Sequence, residues 1–486
     1  MQDKLKILMV SAVWGDWHIN AHLTANVPTL LASKNLPELA RRCDIAYRIY
    51  TRRSDFMRLM SSPVMKNLSR VVSVDLRILS EDKMANPYEA HQWAWQQATD
   101  DAKNSGHFIL FIPPDVVWAD GAFLHIPDLL LAGKKAIFMT YVRVVSDTFV
   151  PALQELGQKS EGAITVPSGD MVKLALHHLH PIMAASCHDC PYFPVHAEMI
   201  LWPVRNEGLL VRVLAREMFL YDPSEIELTP MALMNRQCDA QDTVFIDDSD
   251  ILFAVSLAPL GKDAAWHMEY RLATPLFLAQ WWLRYDSPAN DFIASARIRW
   301  HTGPMTLKAW RREEIRSDRL IRDTIMTREG LRIWRVINEM GHQKAASLLA
   351  LAIGQRLFSK AFRNPSRAMI FVPSDEAFQR LCGDKIDELA KPENVGGLLT
   401  FLRHHVVFDP VASVSILDGK QLGPSAHIKL VTSAGQQLMI TKARENLLVN
   451  GKDVLTLEGR VGHYTIYRIN NVLDPDMKRS LESIPV

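Results

Sequence analysis

Two features of the sequence predict an α/β fold with a mostly parallel sheet for the larger, N-terminal part of the chain. Short apolar runs alternate with longer segments of helical spacing, and those runs are apolar at nearly every position. Strands covered by helices on both faces of a sheet show this pattern, because both of their faces are buried. A strand-and-turn pattern replaces it near the C-terminus, which predicts a second domain of α+β type.

The first domain is expected over residues 1–326 and the second over 327–480. In the first domain the apolar runs predict five early strands and the helical spacing predicts three helices between them. The strands are 6–14, 45–51, 71–79, 108–113 and 136–142, and the helices are 20–33, 86–104 and 121–132. The following region is less regular, with helices at 170–180, 273–284 and 305–325 and strands at 198–204, 209–214 and 243–247. The Arg-rich stretch 306–335 predicts long helices with their arginines facing water.

Composition bounds the kind of partner and the compartment. Lys plus Arg number 55 and Asp plus Glu 54, so a net charge of +1 provides no global field for nucleic acid. Five scattered cysteines do not suggest a disulfide framework, and the apolar run near the N-terminus is too short to span a membrane. We therefore expect no transmembrane segment and a cytoplasmic location, with peripheral attachment at the inner membrane face as an alternative.

Three ordered motifs near the C-terminus carry a family resemblance. The segment 370–381 (IFVPSDEAFQRL) contains Ser374 or Asp375 as a helix cap, and 398–407 (LLTFLRHHVV) contains His405. The segment 467–475 (YRINNVLDP) follows them. Together they resemble a fasciclin domain, which implies an α+β binding or adhesion module with a possible protein partner. His405 is expected to be a hydrogen-bonded core histidine.

Residues 5–145 resemble a bacterial glycosyltransferase of the GT-A type, which has a Rossmann-like domain that binds a nucleotide-sugar. The resemblance depends on the end of the first strand, on Tyr50-Thr51-Arg52-Arg53, and on 109–123 (ILFIPPDVVWADGAF). It implies a nucleotide-sugar donor and a glycan, lipid-linked or protein acceptor. The donor-binding residues it implies are Trp14, Gly15, Asp16, Thr51, Arg52 and Asp115.

Asp115 is the predicted metal ligand. In this fold the turn after the fourth strand supplies carboxylates for a cation that bridges the donor diphosphate, but here the turn reads Pro113-Pro114-Asp115. Mg²⁺ or Mn²⁺ accepts one carboxylate together with phosphate oxygens and waters. Arg52 and Arg53 offer a metal-free alternative, since guanidinium groups neutralise phosphates. The competing interpretation is that Asp115 only caps a helix.

The predicted catalytic residues are Asp248, Asp250 and His301. Asp248 and Asp250 belong to an acidic cluster between two apolar runs, where one of them could take the proton of the acceptor hydroxyl. His301 follows Arg299 on alternate positions of a predicted strand, so both could face a phosphate leaving group. A solvated acidic turn and an ordinary surface strand are the alternatives.

Three further segments have weaker functional interpretations. His177, His180, Cys187 and Cys190 are possible zinc ligands, although the gap between the two pairs is shorter than in common zinc fingers. Trp281 and Trp282 could line a sugar groove, but a helix core is favoured. The amphipathic segment 343–362 could touch anionic lipid, but packing inside the C-terminal domain is favoured.

The leading hypothesis from the sequence is therefore a glycosyltransferase, for which the resemblance implies a setting in bacterial surface glycan synthesis. The rival hypothesis is a non-catalytic scaffold with a degenerate transferase fold. Nucleic-acid binding through 306–335 is disfavoured, because Glu and Asp are interleaved with the arginines.

Overall fold

The computed structural model describes residues 4–79, 86–214, 218–226, 241–261, 270–285, 288–361, 367–380, 383–408, 427–443 and 446–473. Cys238, Cys382 and the Asp474-Pro475 end of the closing motif lie outside these ranges. The chain divides into two compact units. Unit 1 comprises 1–273 and 281–319, and unit 2 comprises 274–280 and 320–486. The predicted domain boundary at 326/327 falls within a long helix that runs through Leu307–Glu339.

The strands up to residue 301 are β1 (Lys6–Ala12), β2 (Asp44–Arg52), β3 (Ser73–Leu79), β4 (Phe108–Phe111), β5 (Val116–Trp118), β6 (Ala136–Phe138), β7 (Val142–Val145), β8 (Gln158–Ser160), β9 (Ala163–Thr165), β10 (Met199–Val204), β11 (Gly208–Val213), β12 (Met218–Tyr221), β13 (Thr243–Phe245), β14 (Ala254–Ala258) and β15 (Ile298–His301). The helices are α1 (Asp16–Ala21), α2 (Val27–Leu30), α3 (Leu36–Arg42), α4 (Arg53–Ser61), α5 (Pro63–Val71), α6 (Pro87–Ser105), α7 (Ile126–Leu131), α8 (Ser146–Leu156), α9 (Ser168–His177), α10 (Pro181–Ala185), α11 (Pro275–Trp282), α12 (Pro288–Ser295) and α13 (Leu307–Glu339). A π-helical turn, His22–Asn26, joins α1 to α2.

The main sheet of unit 1 has seven strands in the order β13-β6-β12-β4-β1-β2-β3. Strand β1 lies in its centre, with Met9 paired to Tyr47 of β2 on one side and to Leu110 of β4 on the other, both in parallel. Only β12 runs antiparallel to its neighbours β4 and β6 among the described strands of this sheet. The predicted mixed α/β class with a mostly parallel sheet is confirmed.

The core of unit 1 explains why these strands are apolar at almost every position. Ile7, Met9, Ile49, Leu110 and Ile137 are all buried, and α-helical residues cover them. Three smaller sheets lie among the described residues of the same unit, with the orders β5-β14-β7, β10-β11-β15 and β8-β9. The single strand predicted over 136–142 is in fact two, because the chain leaves the main sheet after Phe138 and β7 pairs with β14.

Unit 2 contains a second seven-stranded sheet in the order β17-β16-β22-β21-β20-β19-β18. Its strands are β16 (Ala368–Pro373), β17 (Val406–Val407), β18 (His427–Val431), β19 (Gln437–Ala443), β20 (Asn446–Val449), β21 (Asp453–Val461) and β22 (Tyr464–Ile469). Its remaining helices are α14 (Gln343–Gly354), α15 (Phe358–Ala361), α16 (Asp375–Gln379), α17 (Gly383–Leu389) and α18 (Val395–His404). The predicted α+β character is confirmed.

The predicted cap and the predicted core histidine are both present in unit 2. Ser374 Oγ accepts a hydrogen bond from the Ala377 backbone N–H and caps α16. His405 is buried, and its Nδ1 donates to the Phe401 carbonyl at 2.8 Å while its Nε2 accepts from the Leu473 N–H at 3.0 Å. This side chain therefore joins α18 to the segment that follows β22, and both ring nitrogens are used.

Two expectations about amphipathic helices have different outcomes. The segment 343–362 packs into the core of unit 2 through Leu348, Leu349 and Ile353, as favoured. The expectation that the arginines of 306–335 face water is wrong for Arg328, which is buried within α13. None of the helices in the described part of the chain combines the length and the apolar composition that crossing a bilayer requires.

Candidate functional site

Three loops with candidate residues emerge at one edge of the main sheet. Strands β1, β4 and β13 run in the same direction, so the segments 14–16, 113–115 and 247–250 all follow carboxyl ends of strands. The chain passes from β1 to β2 on one side, whereas β4 pairs with β1 on the other. In open α/β sheets, ligands bind in the crevice outside the carboxyl ends at such a reversal.

Asp248, Asp250 and His301 converge at this edge. His301 Nε2 lies 3.0 Å from Asp248 Oδ1 and 3.7 Å from Asp250 Oδ2. One ligand atom from each residue lies within 4.8 Å of the others, the only such group of three His, Cys, Asp or Glu side chains among the described residues. Asp250 is exposed, Asp248 is half-buried and His301 is buried, so the group opens to solvent on the Asp250 side.

Backbone pairing holds this group together. The Arg299 N–H donates to the Asp247 carbonyl and the Ser249 N–H donates to the Arg299 carbonyl, which joins the acidic loop to β15. The His301 N–H then donates to Ser249 Oγ at 3.1 Å. The Asp250 N–H donates to Asp248 Oδ1 at 2.9 Å and closes the loop on itself.

The hydrogen bonds of His301 determine which ring nitrogen carries the proton. Its Nδ1 lies 2.9 Å from the carbonyl oxygen of Gly303, which can only accept, so Nδ1 is the donor. In the neutral imidazole, Nε2 then carries no proton, and its lone pair faces Asp248 and Asp250. A lone pair beside two carboxylates is repelled unless a proton or a cation lies between them. Donation from the remote nitrogen to a carbonyl is also what orients a metal-binding histidine.

Helix α9 begins beside the same group. Ser168 Oγ donates to the Ser249 carbonyl at 2.5 Å. A Cβ at Gly169 would lie 2.9 Å from the carbonyl oxygen of Thr302, so the helix approaches the turn after β15 as closely as only glycine allows. The group formed by Asp248, Asp250 and His301, called the triad below, is therefore supported by α9, by β15 and by the loop 247–250.

Glu207 secures the turn between His301 and α13. Its carboxylate accepts from the Thr306 N–H at 2.7 Å and from Trp310 Nε1 at 2.9 Å. The Trp310 ring in turn meets the His301 ring edge-to-face, with centroids 6.5 Å apart. The sequence did not mark Glu207 as part of the site, because its contacts lie about a hundred residues away along the chain.

Trp14, Gly15 and Asp16 lie where β1 ends. Gly15 has φ +81°, a conformation that favours glycine, and its N–H donates to Asp55 Oδ2 at 2.8 Å. Asp16 is exposed and forms an ion pair with Arg58 at 2.9 Å. Trp14 is half-buried.

Thr51 and Arg52 are less available than the sequence suggests. Thr51 is completely buried, so its hydroxyl is not presented to the crevice. Arg52 pairs with Asp55, with Nε 2.6 Å from Oδ2, and 42% of its side chain is exposed. A diphosphate would therefore meet a guanidinium whose charge is already partly neutralised.

Asp115 lies apart from the triad. Its carboxylate accepts from Ser256 Oγ at 3.0 Å, and burial raises its pKa while the nearby charges of His18 and Arg143 oppose the rise. Ser256 is the central residue of β14 and pairs with Val116 of β5, and Asp115 is not in the group of ligand atoms that Asp248, Asp250 and His301 form. The structure thus does not place the predicted metal ligand with Asp248, Asp250 and His301.

Aromatic side chains beside Trp14 were not singled out from the sequence. His91 and Trp95 lie one turn apart on α6, with ring centroids 4.1 Å apart, and His91 meets Trp14 edge-to-face at 6.4 Å. Trp95 packs on Phe111 at the end of β4. Burial lowers the pKa of His91 to about 4. Helical spacing in the run His91-Gln92-Trp93-Ala94-Trp95 was the available signal.

The remaining sequence candidates serve other roles. His177 Nδ1 donates to the Lys173 carbonyl, and His180 caps α10 by accepting from the Ile182 N–H. Within the described ranges these two histidines do not form a ligand group with Cys187 and Cys190.

Arg299 and the tandem tryptophans are also accounted for. Arg299 donates to Glu314 from Nε at 2.9 Å and from Nη2 at 2.7 Å, so it is engaged by a carboxylate rather than presented to a phosphate. Trp281 and Trp282 are buried, as favoured for a helix core, and do not line a groove.

The C-terminal unit has a match to a known family. The family model of the Fasciclin domain matches residues 344–475. This part of the chain is a fasciclin domain. The match covers β16, the Ser374 cap, His405 and β22, which are the features that carried the resemblance. The match covers about a quarter of the chain, and none of it lies in unit 1.

No curated protein matches the chain. Among solved structures, a putative glucose-1-phosphate thymidylyltransferase from Bacillus anthracis, in complex with a sucrose, is similar at 15% identity. That similarity covers 29% of this chain and 57% of the other, with a TM-score of 0.20. The matched part thus spans little more than half of that protein.

Proposed function

We propose that this protein is a glycosyltransferase of the GT-A type that moves a sugar from a nucleotide-sugar donor to an acceptor, using a divalent cation. The observation that carries the proposal is the convergence of His301 Nε2 with Asp248 Oδ1 and Asp250 Oδ2, at 3.0 and 3.7 Å. One imidazole nitrogen and two carboxylate oxygens form a donor set that suits Mn²⁺ or Mg²⁺.

The cation would neutralise the donor diphosphate as the sugar departs. Asp248, Asp250 and His301 would hold it, and the Gly303 carbonyl would keep Nε2 free by fixing the tautomer. Asp115 remains an alternative ligand. Because Asp115 is hydrogen-bonded to Ser256 and has a raised pKa, it is the weaker candidate.

The donor nucleotide would occupy the crevice at the ends of β1 and β4. Trp14 would stack on the base, Asp16 would accept from the ribose hydroxyls, and the backbone at Gly15 would allow close approach. Arg52 would lie toward the diphosphate, with Thr51 supporting the strand end from within. This arrangement uses the edge of the sheet where the structure brings these loops out.

A general base is also needed for the acceptor hydroxyl. Asp250 is the best candidate when it is not a metal ligand, because 71% of its side chain is exposed. Asp248 is committed to His301 and to its own loop. The two roles are distinguishable, since loss of a ligand weakens cation affinity whereas loss of a base lowers turnover at saturating cation.

The fasciclin domain would position the acceptor or a partner protein. This role is proposed from the usual function of such domains as binding modules. A glycan, a lipid-linked sugar or a protein side chain are the acceptor classes considered.

The test is a thermal-shift and turnover experiment on the full chain with UDP-, GDP- and CDP-sugars, with and without Mn²⁺. We expect a cation-dependent rise in Tm with one nucleotide class, and release of the nucleoside diphosphate. Asp248→Asn should weaken cation affinity at least tenfold, since it removes a charged ligand. Asp44→Asn, an exposed change at the start of β2, is the matched control and should behave as wild type.

Two results would contradict the proposal. One is equal stabilisation of wild type and Asp248→Asn by Mn²⁺. The other is the absence of any response to all three nucleotide classes, which would favour a non-catalytic binding protein.

A further inference from the structure

The first four turns of α13, residues 307–319, have two chemically distinct faces. The outward face carries a run of cations at helical spacing, all exposed: Lys308, Arg311, Arg312, Arg316 and Arg319. Together with Ile315, their side chains line a groove of about 520 Å³. Residues three and four apart share a helix face, so these charges form one stripe.

The acidic residues of the same turns point the other way. Glu314 is largely buried and pairs with Arg299 and Arg297 of β15 and the segment before it. Asp318 pairs with Arg212 and Arg297. Both carboxylates are therefore engaged in ion pairs with arginines of unit 1 and do not face the stripe.

Among the described residues, Glu313 is the acid that forms ion pairs with the stripe. It contacts Arg316 at 3.3 Å and Arg312 at 3.7 Å, but only 12% of its side chain is exposed. Lys308, Arg311 and Arg319 have no carboxylate within ion-pair distance among the described residues. The sequence predicts that the interleaved Glu and Asp residues partly cancel the positive charge of the arginines. In the fold, Glu314 and Asp318 instead point away from the stripe.

Apolar side chains are interleaved with the stripe. Leu307 is 80% exposed, Ile315 is 53% exposed and Met305 is 40% exposed. Leaving three such side chains in water has a cost that a second surface could remove. Cations together with exposed apolar side chains on one helix face are typical of helices that lie on membranes.

We propose that the face formed by 305–319 binds the surface of a bilayer rich in anionic phospholipid headgroups. The cations match the headgroup phosphates and the apolar side chains enter the headgroup boundary. A nucleic acid would use the cations but would leave Leu307 and Ile315 exposed, and the chain as a whole carries a net charge of only +1. The proposal does not depend on the transferase activity.

The opposite face of the helix gives this surface a link to the candidate site. Trp310 packs against the His301 ring from the inward side. Docking through the outward face would therefore place the helix that contacts His301 against the bilayer.

The experiment is co-sedimentation of the full chain with vesicles of phosphatidylcholine alone and of phosphatidylcholine with phosphatidylglycerol at three to one. Binding is expected only to the anionic vesicles and should fall as salt is added. Arg311→Gln/Arg319→Gln removes two unpaired cations and should weaken partitioning about thirtyfold. Lys159→Gln/Lys429→Gln removes the same charge from exposed positions elsewhere and should bind as wild type.

A separate variant tests the contribution of the exposed apolar side chains to binding. Ile315→Ser should weaken binding severalfold while leaving the salt dependence unchanged, because it removes burial and not charge. Equal binding to both vesicle types, or equal binding of the two double variants, would overturn the proposal. So would displacement of the protein from anionic vesicles by short duplex DNA at equal phosphate concentration, which would point to a nucleic-acid surface.

Discussion

At the scale of single residues, His301 shows how one hydrogen bond sets the chemistry of a site. The Gly303 carbonyl accepts a hydrogen bond from Nδ1, so Nε2 is the ring nitrogen that faces Asp248 and Asp250. His405 in the fasciclin domain is the opposite case, because both of its nitrogens are used inside the fold. Residue type alone does not separate a candidate ligand from a structural histidine.

A variant of Asp115 tests whether this residue, rather than Asp248, Asp250 and His301, holds the cation. Its raised pKa means that the folded state favours the protonated carboxyl, so its contribution to stability is present below the unfolded pKa and is lost as pH rises. Asp115→Asn should therefore be more stable than wild type at pH 7 and similar to it at pH 4, as measured by urea unfolding. It should keep the Mn²⁺ shift in Tm. Loss of that shift would place the cation at Asp115 instead.

A second residue-scale prediction concerns His22 in the π-helical turn. Burial lowers the pKa of His22 from 6.5 to about 4, so stability should be constant above pH 6.5 and fall as pH decreases toward 4. The loss from this group should be about 3 kcal/mol. His22→Leu should remove that part of the acid dependence in urea unfolding. His427→Leu, on the exposed side of β18, should leave the slope unchanged, and identical slopes for all three proteins would refute the prediction.

At the scale of elements, the pairing of β11 with β15 positions the candidate site. Gly208 pairs with His301, and its φ is +150°. A Cβ there would lie 1.9 Å from the carbonyl oxygen of Trp300. The backbone of β15 therefore approaches this position too closely for any side chain.

Gly208→Ala should accordingly displace β15 and its histidine. We expect a loss of about 1–3 kcal/mol in unfolding free energy from overpacking, together with loss of the Mn²⁺ shift. Gly396→Ala, in α18 with open space around the added methyl group, is the control. Retention of the cation response in Gly208→Ala would show that β15 does not position the ligand set.

At the scale of the whole molecule, the two units have separate hydrophobic cores. Ile466, in β22 of the second seven-stranded sheet, belongs to a buried cluster in unit 2, while the strands around β1 form the core of unit 1. Domains with their own cores can unfold as separate units.

Calorimetry should therefore resolve two transitions. Ile466→Ala should destabilise the unit 2 transition by about 2–5 kcal/mol and leave the other in place, because only one core acquires a cavity. Mn²⁺ with a donor nucleotide should shift the other transition. A single transition whose Tm changes with both perturbations would contradict this independence.

The sequence by itself determined the elements and the kinds of residue at the site. The buried strands, the Ser374 cap, the fasciclin motifs, and the choice of Asp248, Asp250 and His301 all followed from local patterns, because burial periodicity and helix capping are properties of neighbouring residues. Tertiary structure alone brought His301 to Asp248 across 53 residues and left Asp115 beside Ser256. It also separated the charges of α13. Which residues meet depends on the register between β15 and the acidic loop and on which side of a helix faces the core, and no short stretch of sequence encodes those non-local contacts.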